Sequence, residues 1–497
     1  MELDLIIRGG SVLDGTGSPE QRTDVGIKGD RVDTIGDLSK ASASDTIDAT
    51  GKIVCPGFID PHNHLHADID KGVPPCDNLV RQGITTLVAG NCGGSGWPVA
   101  EHFEKVRQRG IKQNYCMLIG HNTVRRTVAD KLKPGGFADH EAVTAMQDAM
   151  RRGMEEGAIG ITVGYAPDYA TTDEFIAVSK PVAEMGGVYA SHIRSEGIHL
   201  LQAIAEIIEV CENADIPVQI AHFKTGRPSV WDHLDIAIAM IDDARRRGLN
   251  VTADRYPYCA WHGGSTNITP RWAAGEARKR GGWQHMRDDD IADRFRDEVN
   301  AMLEGYGGSD KLMFTSLETP DPEIDGKTPA DLMKQWNCDV VEVAIRISER
   351  PRVGAVGFTM SEDNLRRILQ HDAVMVGTDA HEEVFGKFAT HPRNYGTYPR
   401  VLGTHTRKEK LFPLATAVRK MTSMPAEKFR LKDRGVLREG AFADVTVFDP
   451  DTVCDNTTFL DAHRYPTGIE HVIVNGKPAV REGETLPESH GVVITRT

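Results

Sequence analysis

Residues 55–68 read CPGFIDPHNHLHAD, with three imidazoles at alternating positions, His62, His64 and His66, straight after the apolar stretch Gly57, Phe58 and Ile59. Period-two alternation puts His62 and His64 on one side of an extended strand, about 7 Å apart along it, close enough to grip one ion. His66 shares the phase but lies further along, in the loop, as a further candidate to touch metal or substrate. Other ligand-type side chains follow apolar runs: Cys92 after TTLVAGN, His192 after GVYAS, His222 after PVQIA and Asp379 after VMVGT. Imidazoles, a thiolate and a carboxylate form a donor set for zinc or a similar divalent ion. A lone histidine at a strand end is usually structural, and a lone buried cysteine usually behaves as a small hydrophobe. Neither explanation covers so many such residues at successive strand ends.

The elements that must position these residues alternate between two textures. GITTLVAGN, YCMLIGHN, AIGITVG, GVYASHI, IPVQIAHFK, LNVTADRYPY and AVMVGTDAH read as strands. EHFEKVRQRG, HEAVTAMQDAMRRGMEEG, GIHLLQAIAEIIEVCENA and DHLDIAIAMIDDARRRG read as amphipathic helices. Near-continuous apolar strands alternating with helices imply a parallel sheet. Counting the strand after CPG, about eight units over roughly 350 residues favour an α/β chain folded as a (β/α)8 TIM-like barrel over a doubly wound sheet, with its chemistry at the C-terminal strand ends. Residues 1–55 are short β-branched runs broken by Gly and Asp turns, and the chain ends in the same texture. A small β-sandwich built from both termini is therefore expected, its C-terminal part and a linking helix within 416–497 and the barrel within 56–415. Residues 266–350 break the rhythm with charged, Trp-bearing sequence and read as an insertion near the barrel mouth.

The 497 residues are 40% hydrophobic and 26% charged, an ordinary globular composition. A net charge of -14 without a long basic run argues against nucleic acid as a partner. No run of 18 apolar residues exists to span a membrane. The opening MELDLIIRGGSVLDG reads as strand and turn, not as a signal peptide. Eight cysteines without a CxxC pair fit a reducing cytoplasm.

These residues carry a resemblance. PGFIDPHNH, VRQGITTLVAGNCGGS, GHNTVR, SHIRSEG, IAHFKTG, DRYPY, GTDAH, HPRNYGTYPR and the tail KMTSMPAEKFRLKDRGVLREGAFADVTVFDP resemble the amidohydrolase superfamily over almost the whole chain, and within it the N-acyl-D-amino-acid deacylases. The HxH strand marks the superfamily; GNCG with SHIRSEG and HFK is more specific. The resemblance implies a barrel with a two-terminus β-sandwich, one tight zinc site of Cys92, His192 and His222, and a weaker second site of His62 and His64 that Cys92 can bridge. Many superfamily relatives bridge their metals with a carboxylated lysine. The middle strand GAIGITVGYAP has no lysine, which points to the cysteine-bridged branch. Two departures stand out: relatives often carry Asp where His66 stands and Phe where Gly94 stands. The first bears on occupancy of the weaker site, the second on the pocket wall.

Zinc lowers the pKa of bound water toward neutrality and polarises a carbonyl. Asp379 is the candidate general base that takes the water's proton and passes it to the leaving amine, and His381 is placed to orient it or the substrate. By resemblance, Lys224, Tyr256 and Arg393 hold the α-carboxylate of an N-acyl-D-amino acid, with Tyr258 the alternative to Tyr256. Ser191, Arg194, Ser195 and Glu196 flank His192 and can orient its ring. The expected reaction is zinc-dependent hydrolysis of a linear amide to a carboxylate and a free D-amino acid, with a small-molecule substrate as the partner. A cyclic-amide hydrolase is the alternative, and the missing lysine and GNCG oppose it. A non-catalytic barrel scaffold is opposed by the complete ligand set.

Overall fold

The computed structural model describes residues 2–167, 169–317, 320–387 and 391–496. Eight strand positions form a parallel barrel: β1 (Phe58–Asp60), β2 (Ile84–Ala89), β3 (Asn114–Met117 continued by Ile119–Gly120), β4 (Gly160–Val163), β5 (Val188–Ser191), β6 (Val218–Ile220), β7 (Val251–Arg255) and β8 (Val374–Val376). Pairing runs β1–β2–β3 and then β3 through β8, in parallel register throughout. The ring closes beside the first histidines. The Asp379 N–H donates to the His62 carbonyl at 2.7 Å and the His64 N–H to the Ala380 carbonyl at 2.8 Å, about an Asn63–Ala380 bridge. This ladder keeps residues 62–64 extended beyond β1, so both imidazoles project to one side as the alternation requires.

The strands are apolar on both faces because side chains fill the barrel inside and helices cover it outside. All six residues of β2 are buried. The helix Leu200–Ala214 buries Leu200, Ala203, Ile204, Ile207, Ile208 and Cys211, the three-and-four spacing of a one-sided apolar stripe. The helix His140–Glu155 starts where the Asp139 side chain accepts from the Ala142 N–H, satisfying an end donor.

Strands from both termini share one nine-stranded sheet. Its first strand, Glu2–Val12, pairs with Ser42–Asp48 over most of its length and with Ile53–Pro56 at its end. The sheet divides there around a core that includes Leu5, Ile7, Val25, Val445 and Ile473. The segment after β7 has a sheet of its own, in which Val353–Gly357 lies between Trp261–Gly264 and Leu312–Ser316, all antiparallel. It packs Phe295, Val299, Leu303, Phe314 and Ile345 into a core separate from that of the barrel. It reaches past 266–350 on both sides, because the glycine-rich WHGG and VGAVG stretches that frame it are strands. No helix among the described residues is long and apolar enough to cross a membrane.

Candidate metal centre and active site

The side chains at the C-terminal ends of the strands converge on one thiol. Cys92 Sγ lies 3.5 Å from His62 Nε2, 3.7 Å from His192 Nδ1 and 3.9 Å from His222 Nε2. Nitrogen and sulfur ligands placed tetrahedrally around zinc at their usual bond lengths stand about 3.5 Å apart. Three overlapping sets, His62 with His64 and Cys92, Cys92 with His192 and His222, and His62 with His222 and Asp379, keep their ligand atoms within 4.8 Å of one another. Cys92, His222 and Asp379 all turn through a left-handed backbone conformation, with φ of 52°, 37° and 53°. For a non-glycine residue this costs about 1–3 kcal/mol and persists only where the surroundings impose it, which is common at functional sites. Gly164, just past β4, makes the close approach possible: a Cβ there would lie 2.7 Å from the Cys92 backbone and 2.8 Å from His192 Cβ.

Buried carboxylates fix the rings. Asp254 Oδ1 stands 3.2 Å from His62 Nδ1 and accepts the His222 backbone N–H at 2.8 Å, while Oδ2 accepts from Gln219 at 2.9 Å. Glu196 Oε1 is 2.6 Å from His222 Nδ1 and also pairs with the Lys224 ammonium, which donates to the His222 carbonyl at 3.0 Å. A carboxylate on Nδ1 keeps the proton there and leaves the Nε2 lone pair aimed at the centre. Asp254 was missed in the sequence reading. It shares an inward phase with Tyr256 in DRYPY, and that alternation was the available signal.

Burial opposes charge throughout this cluster, yet neighbours overrule it. Burial would raise the Cys92 thiol, but attraction by His62 and hydrogen bonds from His192, His222 and His62 hold it well below its usual range. Burial likewise works against His62 and His64, but Asp254, Asp379 and Cys92 hold the first well above the imidazole range. Hydrogen bonds to Asp379 and Cys92 lift the second to about 9. Asp379 is pulled well below the carboxylate range, against its burial, by Arg393, His62 and His64. Three carboxylates (Asp254, Asp379 and Glu196) and a thiolate face two fixed cations, Lys224 and Arg393. The two negative charges left over match one divalent cation, and protons on His62 and His64 fill the same electrostatic role. The donor set, its spacing and its charge all fit zinc.

The amidohydrolase family model matches residues 45–303 and 340–480. The chain belongs to the amidohydrolase family. It is 35% identical to an N-acyl-D-glutamate deacylase of Alcaligenes xylosoxydans xylosoxydans, over 96% of this chain and 93% of that protein. It is 34% identical to a D-aminoacylase of the same organism, over 99% and 98% of the two chains. Its fold matches the crystal structure of an N-acyl-D-glutamate deacylase from Bordetella bronchiseptica, complexed with zinc and a phosphonate mimic of the tetrahedral intermediate. The TM-score is 0.84 at 30% identity, with all of both chains covered.

In this amidohydrolase the side chains expected to hold substrate gather around one ring. Lys224 Nζ lies 5.7 Å and the Arg393 guanidinium 5.2 Å from the centroid of Tyr256. Neither cation is free-standing: Lys224 is paired with Glu196, and Arg393 Nη1 lies 2.5 Å from Asp379 Oδ2. Among the described residues the buried Tyr256 hydroxyl and Arg393 Nε have no hydrogen-bond partner, whereas the Tyr258 hydroxyl donates to Asp455 at 2.9 Å. That contrast separates the two tyrosines: Tyr258 ties down structure and Tyr256 keeps an unused donor.

Three placements differ from expectation. His66 is not in a loop but in the first turn of the helix Leu65–Asp70, buried, with Nδ1 accepting the Gly90 N–H at 3.2 Å. The helix breaks the period-two phase and turns the ring away from the Cys92 cluster. His66 and Gly94 are neighbours, since a Cβ on Gly94 would sit 3.1 Å from His66 Nε2; the larger ring at one position fills the space left at the other. His381 bonds Asp68, at 3.0 Å, and stacks on His64 with centroids 4.9 Å apart, so it braces His64 and does not orient Asp379. Of the residues flanking His192, only Glu196 orients a ligand ring, and the ring is that of His222.

Proposed function

We propose that this amidohydrolase is a zinc-dependent N-acyl-D-amino-acid deacylase, releasing a carboxylate and a free D-amino acid. The observation that carries the reading is the Cys92 thiol ringed by three imidazole nitrogens at 3.5–3.9 Å, with Asp379 beside them. The names of the 34–35% identical relatives supply the D-amino-acid class. Cys92, His192 and His222 would hold the tighter zinc, and His62 and His64 a second one with Cys92 shared. Bound there, zinc polarises the scissile carbonyl and makes water nucleophilic at neutral pH.

The chain's own groups do the rest. Arg393 occupies Asp379 Oδ2, so Oδ1, 2.9 Å from His64 Nε2 and 3.4 Å from His62 Nε2, is the oxygen that would take the water's proton once those rings give their nitrogens to zinc. The same oxygen hands it to the leaving amine. The unused donors of Tyr256 and Arg393, with Lys224, face the α-carboxylate and orient the amide. The eight unpaired thiols suit a reducing cytoplasm.

The test is an assay of protein of known metal content against paired N-acetyl-D- and N-acetyl-L-amino acids, with a hydantoin and dihydrouracil as controls. D-amino acid release, lost on chelation and restored by zinc, is expected. Ring opening of the cyclic amides with no release from any linear amide overturns the proposal.

A further inference from the structure

The motif GHNTVR after β3 supplies none of the metal ligands, yet it lies against the turn that carries Cys92. Its residues open the short helix His121–Thr127. The Asn122 backbone N–H donates to the Gly93 carbonyl at 3.1 Å, and the Asn122 side-chain Nδ2 donates to the Gly164 carbonyl at 2.7 Å. Gly93 follows Cys92 directly, and Gly164 is the glycine against which the Cys92 backbone packs. One residue thus ties the turn after β2 to the end of β4, with Cys92 between them. The three meet too closely for another side chain: a Cβ on Gly93 would lie 2.8 Å from Asn122 Nδ2 and 2.5 Å from the Gly164 carbonyl oxygen. His121 Nδ1 stands 3.3 Å from Asn122 Oδ1, so that end of the amide is engaged and Nδ2 faces Gly164. The helix itself is anchored by the buried Glu174, whose Oε1 is 2.8 Å from His121 Nε2 and accepts from Arg125 Nε at 2.8 Å.

These bonds bear on the thiol because of what Cys92 must do. Its left-handed backbone, φ 52°, persists only where surrounding contacts impose it. The bonds through Asn122 hold both flanks of that residue. Sγ also has to approach three imidazole nitrogens together, at 3.5–3.9 Å. Zinc bond lengths to sulfur and nitrogen are narrow, and a ligand displaced by more than about 0.5 Å no longer fits the site. The rest of the turn is secured independently. The Gly93 N–H donates to Thr162 Oγ1 at 3.4 Å, the Ser95 N–H to Thr123 Oγ1 at 3.1 Å and the Gly120 N–H to Ser95 Oγ at 2.9 Å. Loss of the Asn122 amide should therefore loosen the Cys92 backbone without unfolding the loop. Asn122 carries no charge, so it acts on where the thiolate sits, in contrast to Glu196, which sets the proton on His222.

We propose that Asn122 is a positioning residue for Cys92, whose amide holds the turn in the conformation that brings the thiolate to all three imidazoles. This rests on the zinc reading of the Cys92 site and not on the choice of substrate. The test compares full-length wild type with Asn122→Ala, with Asn122→Leu, which keeps the bulk and loses the amide, and with Cys92→Ala. Zinc affinity is read by competition with a chromophoric chelator, the thiolate-to-metal charge-transfer band on the cobalt-loaded proteins, and Tm on the metal-free ones. Both Asn122 variants should bind zinc at least about five-fold more weakly, with a weaker or shifted band. A role confined to stability would lower Tm and leave both metal readouts unmoved. A smaller loss of affinity, or an unchanged band, in either variant that folds overturns the proposal. Cys92→Ala separates the two ways of failing. If it loses tight zinc while the Asn122 variants keep it, only the role of Asn122 falls. If it keeps wild-type affinity, the metal centre lies elsewhere and the inference falls with it.

Discussion

Arg393 Nη1 lies 2.5 Å from Asp379 Oδ2, while Asp379 Oδ1 turns to His64 and His62. The carboxylate is thereby split into a clamped oxygen and a working one. Arg393 is the strongest influence holding Asp379 ionised against its burial. Removing that cation leaves burial less opposed, so the carboxyl pKa rises and the ionised base is lost at higher pH. In Arg393→Met the acid limb of the kcat/KM profile should move to higher pH. In Asp379→Asn, kcat should fall by roughly 10²–10⁴ with zinc content retained. An unmoved acid limb together with near wild-type kcat in Asp379→Asn would remove Asp379 as the base.

Cys92 Sγ lies within 3.9 Å of three imidazole nitrogens at once. Its removal should therefore cost more metal than the loss of any single histidine. Cys92→Ala is expected to lose tightly held zinc on dialysis against a weak chelator, measured by elemental analysis. A full zinc equivalent in that variant would sink the thiolate-centred site.

Glu196 touches no expected substrate atom, yet it sets the proton on His222 Nδ1. Glu196→Gln keeps the shape but weakens that preference and uncouples Lys224. A loss of about 10–100-fold in zinc affinity is expected, in a competition titration with a chromophoric chelator. Unchanged affinity would show that the His222 ring is oriented by packing alone.

In the metal-free protein His64, lifted to about 9, carries a proton at neutral pH. Zinc requires the neutral ring, so binding must release that proton. Affinity at the site using His64 should climb as pH rises from 6 toward 9, where the free ring is half deprotonated. His64→Gln should lose the second zinc equivalent across this range. A second equivalent retained in that variant with the same pH dependence would place the site and its released proton elsewhere.

The grouping of His62, His64, Cys92, His192, His222 and Asp379 was legible in the sequence because each follows an apolar run, and a parallel barrel gathers strand ends at one mouth. The orientation of the rings was not legible. Whether Glu196 serves His192, near it in sequence, or His222, on the next strand, depends on loop paths that periodicity does not encode. Nor does residue type announce a left-handed backbone at Cys92 and His222, since tertiary contacts impose it. The strands Trp261–Gly264 and Val353–Gly357 hid behind their glycines, which local propensity assigns to turns. His66 was misplaced because alternation was carried across Leu65, where a helix begins.

Below the barrel, Lys428 tests burial without metal chemistry. Its ammonium donates to the Val218 carbonyl at 2.6 Å, the Asn250 carbonyl at 3.0 Å and Asn250 Oδ1 at 2.9 Å, with no carboxylate bonded to it among the described residues. Burial pushes its pKa down to about 7, against about 10.4 for an unfolded lysine. Between these values the unfolded chain binds more protons than the folded one, so stability through this group rises with pH and is lost as pH falls through about 7. Lys428→Met removes that dependence. The Tm of the wild type minus that of Lys428→Met should therefore grow between pH 7 and 9.5, measured by scanning calorimetry in matched buffers. A constant difference would mean that Lys428 stays charged across the range, held by its three oxygen acceptors.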